Sequence, residues 1–226
     1  MTLDLTLNPS RARHSEARAG DRPRFVRLAG ALLLALGTAF IAVTMLAASM
    51  APGYDFNAAA ISDLGTIPET ATLFNGLLII VGLLNAAAGY FLYRAYGSAW
   101  LAGIFAVAGL AIIGAGVVPL NAGGAHSLFA ALAFMFVNVE AIGAARVLRG
   151  PMRWLGVAAG AIGLVYLGVM VIGDGGNPAV FGAIGHGGSE RMIAYPVMLW
   201  MIAVGGHLLA MTDSPRRGTA TGRVGP

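Results

Sequence analysis

Apolar residues in this chain come in six long runs separated by polar stretches. The runs lie at residues 28–50, 72–92, 99–119, 125–147, 154–173 and 191–211. Each holds about 20 residues, the length that carries a helix across a hydrocarbon core ~30 Å thick. The pattern predicts six transmembrane helices and an all-α, polytopic bundle over 28–211. Two connections are short, 94–98 and 149–153, so the second helix should run antiparallel to the third, and the fourth to the fifth. On the other side the first connection spans 51–71 and the third spans 174–190. Both are long for helix–helix links, and long ordered loops are more often functional than short ones. The middle one, 121–124, is brief.

Composition agrees with lipid as the main solvent. Hydrophobic residues make up 58% of the 226 and charged residues only 11%, against about a quarter charged in a soluble domain. The first run, 23 residues long, exceeds a usual signal core. Cleavage near Ala47-Ala48-Ser49 would leave five spans, so the run is expected to be retained. Residues 1–27 read as a disordered basic N-terminus and 212–226 as a disordered tail. Small residues recur within the spans, Gly156 and Gly160 at GxxxG spacing among them, and are expected to serve packing within the chain.

Charge then orients the bundle. All fourteen basic residues are Arg, and thirteen of them fall before the first run, after the sixth, or in or just beside the two short connections. Retention of cationic segments on the cytoplasmic side accounts for this, so both termini are expected in the cytoplasm. The positive balance is thus topogenic, and no nucleic-acid partner is implied. Arg without Lys, with abundant Ala and Gly, suggests a GC-rich bacterial genome and hence a bacterial cytoplasmic membrane. The chain has no Cys, which excludes disulfides, thiol catalysis and cysteine-ligated metal.

Candidate chemistry gathers in the outer loops. The first carries Tyr54, Asp55, Asn57, Ser62, Asp63 and Glu69, with Asn75 just beyond it. Asp55 could cap a short helix ended by Gly65, which would place Ser62 and Asp63 on the face of Asp55. Such a helix reads either as a membrane-surface anchor or as part of a site. His126 opens the fourth helix and His186 precedes the sixth; with Asp63 or Asp55 they are candidate ligands for a divalent metal, the one cofactor the residues suggest. Asp174 sits in a Gly-Asp-Gly-Gly-Asn turn. Arg191, the one outer base, follows Glu190. It should find a carboxylate partner among Asp55, Asp63, Glu69 and Asp174, or recognise a phosphate or carboxylate ligand.

Within the spans, Asn138 and Glu140 in the fourth helix and His207 in the sixth stand out. Glu140 lies 14 residues after His126, only about 40° from its direction at 100° per residue, so the fourth helix carries one polar seam. A carboxyl in lipid should face the bundle interior. Pairing with His207 is the expected arrangement, with a proton relay as the alternative.

Three strings, PGYDFNAAAISDLG from Pro52, TLFNGLL from Thr72 and SERMIAYPVMLW from Ser189, resemble a prokaryotic membrane family known as domain of unknown function 998. The matching positions are Tyr54, Asp55, Asn57, Ile61 to Gly65, Phe74, Asn75, Glu190 and Arg191. His126 is similar to the family's His opening the fourth helix, while Ser127 replaces the Asn expected beside it. The resemblance covers the six-helix region and implies a six-helix bundle with an outer polar cluster, without an activity. A looser likeness, through Ser62, Asp63, His126 and His186, is to zinc hydrolases of the alkaline ceramidase and adiponectin-receptor type.

Three functions remain open. The first is a membrane protein whose outer cluster latches the bundle or binds a small polar or lipid headgroup ligand. The second is a metal-dependent hydrolase or lipid-modifying enzyme using Asp63, His126 and His186. The third is a small proton-coupled transporter using Glu140 and His207, which requires a polar path from His126 to Glu140.

Overall fold

The computed structural model describes residues 9–213, with side chains from 20 to 212. It is all-helical, with no strand among the described residues. Six long helices follow one another: α1 (Pro9–Met50), α2 (Ala71–Tyr96), α3 (Ala99–Val117), α4 (Gly124–Gly143), α5 (Pro151–Asp174) and α6 (Gly185–Asp213). All six contain a stretch long and apolar enough to cross a membrane. Each packs against the next in the chain, and α6 returns to α1, which closes a ring; α4 also touches α6 across it. Buried side chains such as Leu33, Leu36, Val81, Phe105, Ile193 and Met201 fill the interior.

Local chemistry sets the tight connections. Gly97 adopts a left-handed conformation with φ 74° and returns its N–H to the Tyr93 carbonyl at 2.8 Å, while Ser98 caps α3 by accepting from the Leu101 N–H. Pro151 occupies the first turn of α5, where its missing N–H costs nothing. At this end of the bundle Arg side chains lie over aromatic rings. Arg94 sits 4.4 Å from the Phe25 ring centre, Arg146 4.5 Å from that of Trp100, and Arg22 5.2 Å from that of Tyr96. Cations and amphipathic rings meet in this way at a membrane–water boundary.

Two element boundaries correct the sequence reading. Helix α1 begins at Pro9, well before the apolar run that starts at residue 28. Ala, Arg and Glu are good helix formers, and extending an existing transmembrane helix avoids the cost of a new nucleus. Helix α6 begins at Gly185 rather than 191, which moves Glu190 and Arg191 from its start into its second turn. Residues 1–8 and the tail beyond 213 lie outside the described residues.

Glycines on α5 let it approach α4 closely. A Cβ at Gly160 would meet the Asn138 carbonyl, and one at Gly163 would overlap the Asn138 carboxamide. The GxxxG spacing of α5 therefore serves packing inside the chain. Gly163→Ala is expected to lower stability by about 1–3 kcal/mol through overpacking, seen as an earlier unfolding midpoint in detergent. Gly168→Ala, on an exposed position with open space around it, should leave the midpoint unchanged.

Candidate functional site

The first loop lacks the short helix that Asp55 was expected to cap. Its one regular element is a 3-10 turn at Ser62–Gly65, preceded by irregular backbone. Asp55 is exposed and accepts from the Asn57 N–H two residues on, at 2.8 Å, forming a local turn. Asp63 turns back to accept from the Ala60 N–H at 2.8 Å. Ser62 and Asp63 therefore have different partners, and neither shares a helix face with Asp55.

Irregular backbone leaves carbonyls that need donors, and Arg191 supplies them. Its Nη1 donates to the carbonyls of Phe56 (2.9 Å), Ala59 (3.0 Å) and Gly187 (2.7 Å). Its Nη2 donates to the Tyr54 hydroxyl at 2.6 Å. The guanidinium also lies 4.8 Å from the ring centre of Phe56 and 5.5 Å from that of Tyr54. The expected carboxylate partner is not what holds Arg191. A planar fork with five N–H donors matches converging carbonyls as well as it matches an anion. Tyr54 completes the knot by donating to the Ala60 carbonyl at 2.7 Å. Burial pushes its hydroxyl up to about 12, against the opposing pull of the Arg191 cation, so the group keeps its proton at neutral pH and can donate.

Glu190, the next residue on α6, grips the same loop from the other side. It accepts from the Ile61 N–H and, at 2.9 Å, from the Ser62 hydroxyl. Asn57 adds a third tie, donating to the Ala183 carbonyl while its own carbonyl accepts from the Gly187 N–H, both at 2.8 Å. Asn75 stands apart and donates to the Gly65 carbonyl at 2.9 Å, joining the 3-10 turn to α2. Tyr54, Asn57, Ser62, Glu190 and Arg191 thus converge through hydrogen bonds that join the first loop to the start of α6. Gly187 is an element that residue chemistry did not reveal, since a Cβ there would overlap the Ala59 carbonyl.

His126 belongs to a different feature. It is buried at the start of α4, with Nδ1 2.6 Å from the Val118 carbonyl. A carbonyl only accepts, so Nδ1 carries the proton and Nε2 presents a lone pair in the neutral ring. That Nε2 is buried and has no partner. His126, Ser62 and Glu190 line the wall between two spaces. One is an interior cavity of about 60 Å³ whose remaining lining, from Phe40 and Phe74 to Met198, is apolar. The other is a larger pocket of about 380 Å³ between α4, α5 and the loops, which also takes in Asp63, Asp174 and His186. His186 Nε2 lies 3.2 Å from Asp174 Oδ1, bridging the end of α5 to the start of α6. Among the described residues no three His, Asp or Glu side chains converge to hold a metal ion.

The intramembrane groups are arranged differently from expectation. His207 is exposed on α6, whereas Glu140 is fully buried. The partner of Glu140 is Asn85, whose Nδ2 donates to it and to the Phe105 carbonyl, each at 3.1 Å. Depth along the helices suggested the His207 pairing, but the two side chains face different ways. Asn85 was overlooked, although a lone amide inside an apolar run is itself a signal. Asn138 donates to the carbonyls of Phe134 (2.8 Å) and Ile193 (3.1 Å), tying α4 to α6. Between His126 and Glu140 the cavity wall on α4 is Ala130, Ala133, Phe134 and Val137, an apolar surface rather than a polar path.

A closed ring of six apolar helices with its polar links buried defines a multi-pass integral membrane protein. Residues 33–207 match the profile of the family described as Protein of unknown function (DUF998), and the chain belongs to that family. Neither a curated protein nor a solved structure matches the chain.

Proposed function

We propose that the protein is a binding protein for a membrane amphiphile, and that its polar cluster holds the ligand's headgroup. The observation that carries this is the shared wall of His126, Ser62 and Glu190, which sets a roomy pocket with polar groups beside a space lined by apolar side chains. A molecule with one polar end and one apolar end suits that pairing. Ala131 on α4 and Val171 on α5 line the larger pocket and are exposed at the bundle surface, which gives a route for an acyl chain to lie against lipid. In this reading Glu190 and Arg191 position the first loop as the roof of the pocket. The test is to purify the protein in a mild detergent, extract bound molecules and identify them by mass spectrometry. Wild type should retain one class of amphiphile well above its share of the membrane. Ala131→Trp, which fills the pocket mouth, should lose it. Extracts that mirror bulk lipid in both proteins would overturn the reading.

The same reading places the pocket on the outer face of a bacterial cytoplasmic membrane, with both termini inside, because cationic segments resist translocation. A chain without Cys allows a direct check. In intact cells Ala58→Cys, on the exposed part of the first loop, should react with a membrane-impermeant maleimide, and Ser98→Cys should not. The reverse pattern would invert the topology.

A further inference from the structure

The chemistry of the headgroup can be taken further, granted that the pocket holds an amphiphile. We propose that the ligand is a cationic amphiphile, a long-chain amine whose ammonium group donates a hydrogen bond to His126 Nε2 among the carboxylates of Asp63, Asp174 and Glu190. Two independent observations point the same way.

The first is the buried lone pair. With Nδ1 committed to the Val118 carbonyl, the neutral His126 ring offers an acceptor at its opposite edge, at the wall of the pocket. An acceptor buried without a donor is costly, and a ligand N–H that reaches it recovers that cost. A phosphate or carboxylate oxygen would meet the lone pair with another and gain nothing.

The second is the charge of the lining. Three carboxylates border the pocket, and no Arg does. Glu190 keeps its two oxygens on the Ile61 N–H and the Ser62 hydroxyl, and Asp63 has one on the Ala60 N–H. These bonds are to neutral donors, so they orient the carboxylates without cancelling their charge. The imidazole of His186 lies on Asp174 and, when protonated, offsets that carboxylate most directly while also acting on Glu190, as Arg191 does, which leaves Asp63 the least offset of the three. The one guanidinium nearby, Arg191, has both terminal nitrogens engaged by the carbonyls of Phe56, Ala59 and Gly187 and by Tyr54. Its Nε is buried without a partner, but Arg191 lies outside the lining, so a phosphate in the pocket would not meet its terminal nitrogens. In a pocket bordered by carboxylates, like charge repels an anionic head and opposite charge retains an ammonium.

Tail-matched probes separate the alternatives: tetradecylamine, tetradecanol and tetradecyl phosphate, each titrated into the full-length protein in a nonionic detergent and read by the unfolding midpoint. Ala131→Trp serves as the control for effects outside the pocket. The amine should raise the wild-type midpoint at concentrations at least tenfold below those the phosphate needs, with the alcohol between, and should leave Ala131→Trp unmoved. His126→Phe should weaken the amine about tenfold. Should that variant fail to fold for want of the Val118 bond, Asp63→Asn gives the same test by lowering the preference for amine over alcohol. A phosphate that binds as well as or better than the amine overturns the proposal while leaving an amphiphile site intact. If none of the three acts differently on wild type and Ala131→Trp, the amphiphile reading itself fails, and the proposal with it.

Discussion

Arg191→Ala is expected to cost about 3 kcal/mol or more, because it leaves several buried acceptors without a donor at once. The residue is only 8% exposed, and its two terminal nitrogens serve three carbonyls and a phenol drawn from α6 and from the loop between α1 and α2. No neighbouring side chain replaces it, since Glu190 is an acceptor and Tyr54 already gives its proton to Ala60. The loss should therefore be regional. Unfolding in detergent should shift to lower temperature, and residues 51–61 should become open to protease while α2 to α5 stay protected. Arg191→Lys keeps the charge but replaces a flat fork with a single ammonium, so it should recover part of the midpoint and little of the protection. Loss of protection along all six helices would mean that Arg191 holds the whole bundle and not the loop alone.

That division between bundle and loop also marks where the sequence was legible. The six spans follow from one property summed over about 20 residues, and no single contact can overturn such a sum. The identity of the polar groups at one end was legible for a similar reason, since Tyr54, Asn57, Ser62, Glu190 and Arg191 are rare polar residues bounding apolar runs. Their pairing was not. A lone base on the acidic side of the bundle looks like an ion pair, yet Arg191 is held by carbonyls, which every residue carries and no sequence advertises. The start of α6 was lost to composition. Gly185-His186-Gly187-Gly188 reads as a loop because Gly weakens helices, but Gly187 is small so that α6 can touch the Ala59 carbonyl, and that contact outweighs the helical cost. Ser62 and Asp63 show the same limit at the finest scale. Adjacent in sequence, they are separated by a 3-10 turn that sends one to α6 and the other back onto its own loop.

The buried link between α2 and α4 gives the second large effect, and its sign depends on which partner is removed. Asn85→Leu takes away the amide donor of a wholly buried carboxyl and should cost about 2–3 kcal/mol. Asn85→Leu combined with Glu140→Met removes the polar pair and fills the space with apolar side chains. That double variant should recover most of the loss, because an uncompensated polar group in the interior is worse than none. The comparison also decides what the carboxyl is for. If Glu140 only joins helices, the double variant will be stable and will retain the same bound molecules as wild type, since the cavity wall between Glu140 and His126 is apolar. A stable double variant that loses its ligand would instead couple this link to the pocket, through a shift of α4, the helix that carries both residues. A double variant no more stable than Asn85→Leu would mean that Glu140 contributes through contacts other than Asn85. Unfolding midpoints of wild type, the two single variants and the double, measured in one detergent, separate these outcomes.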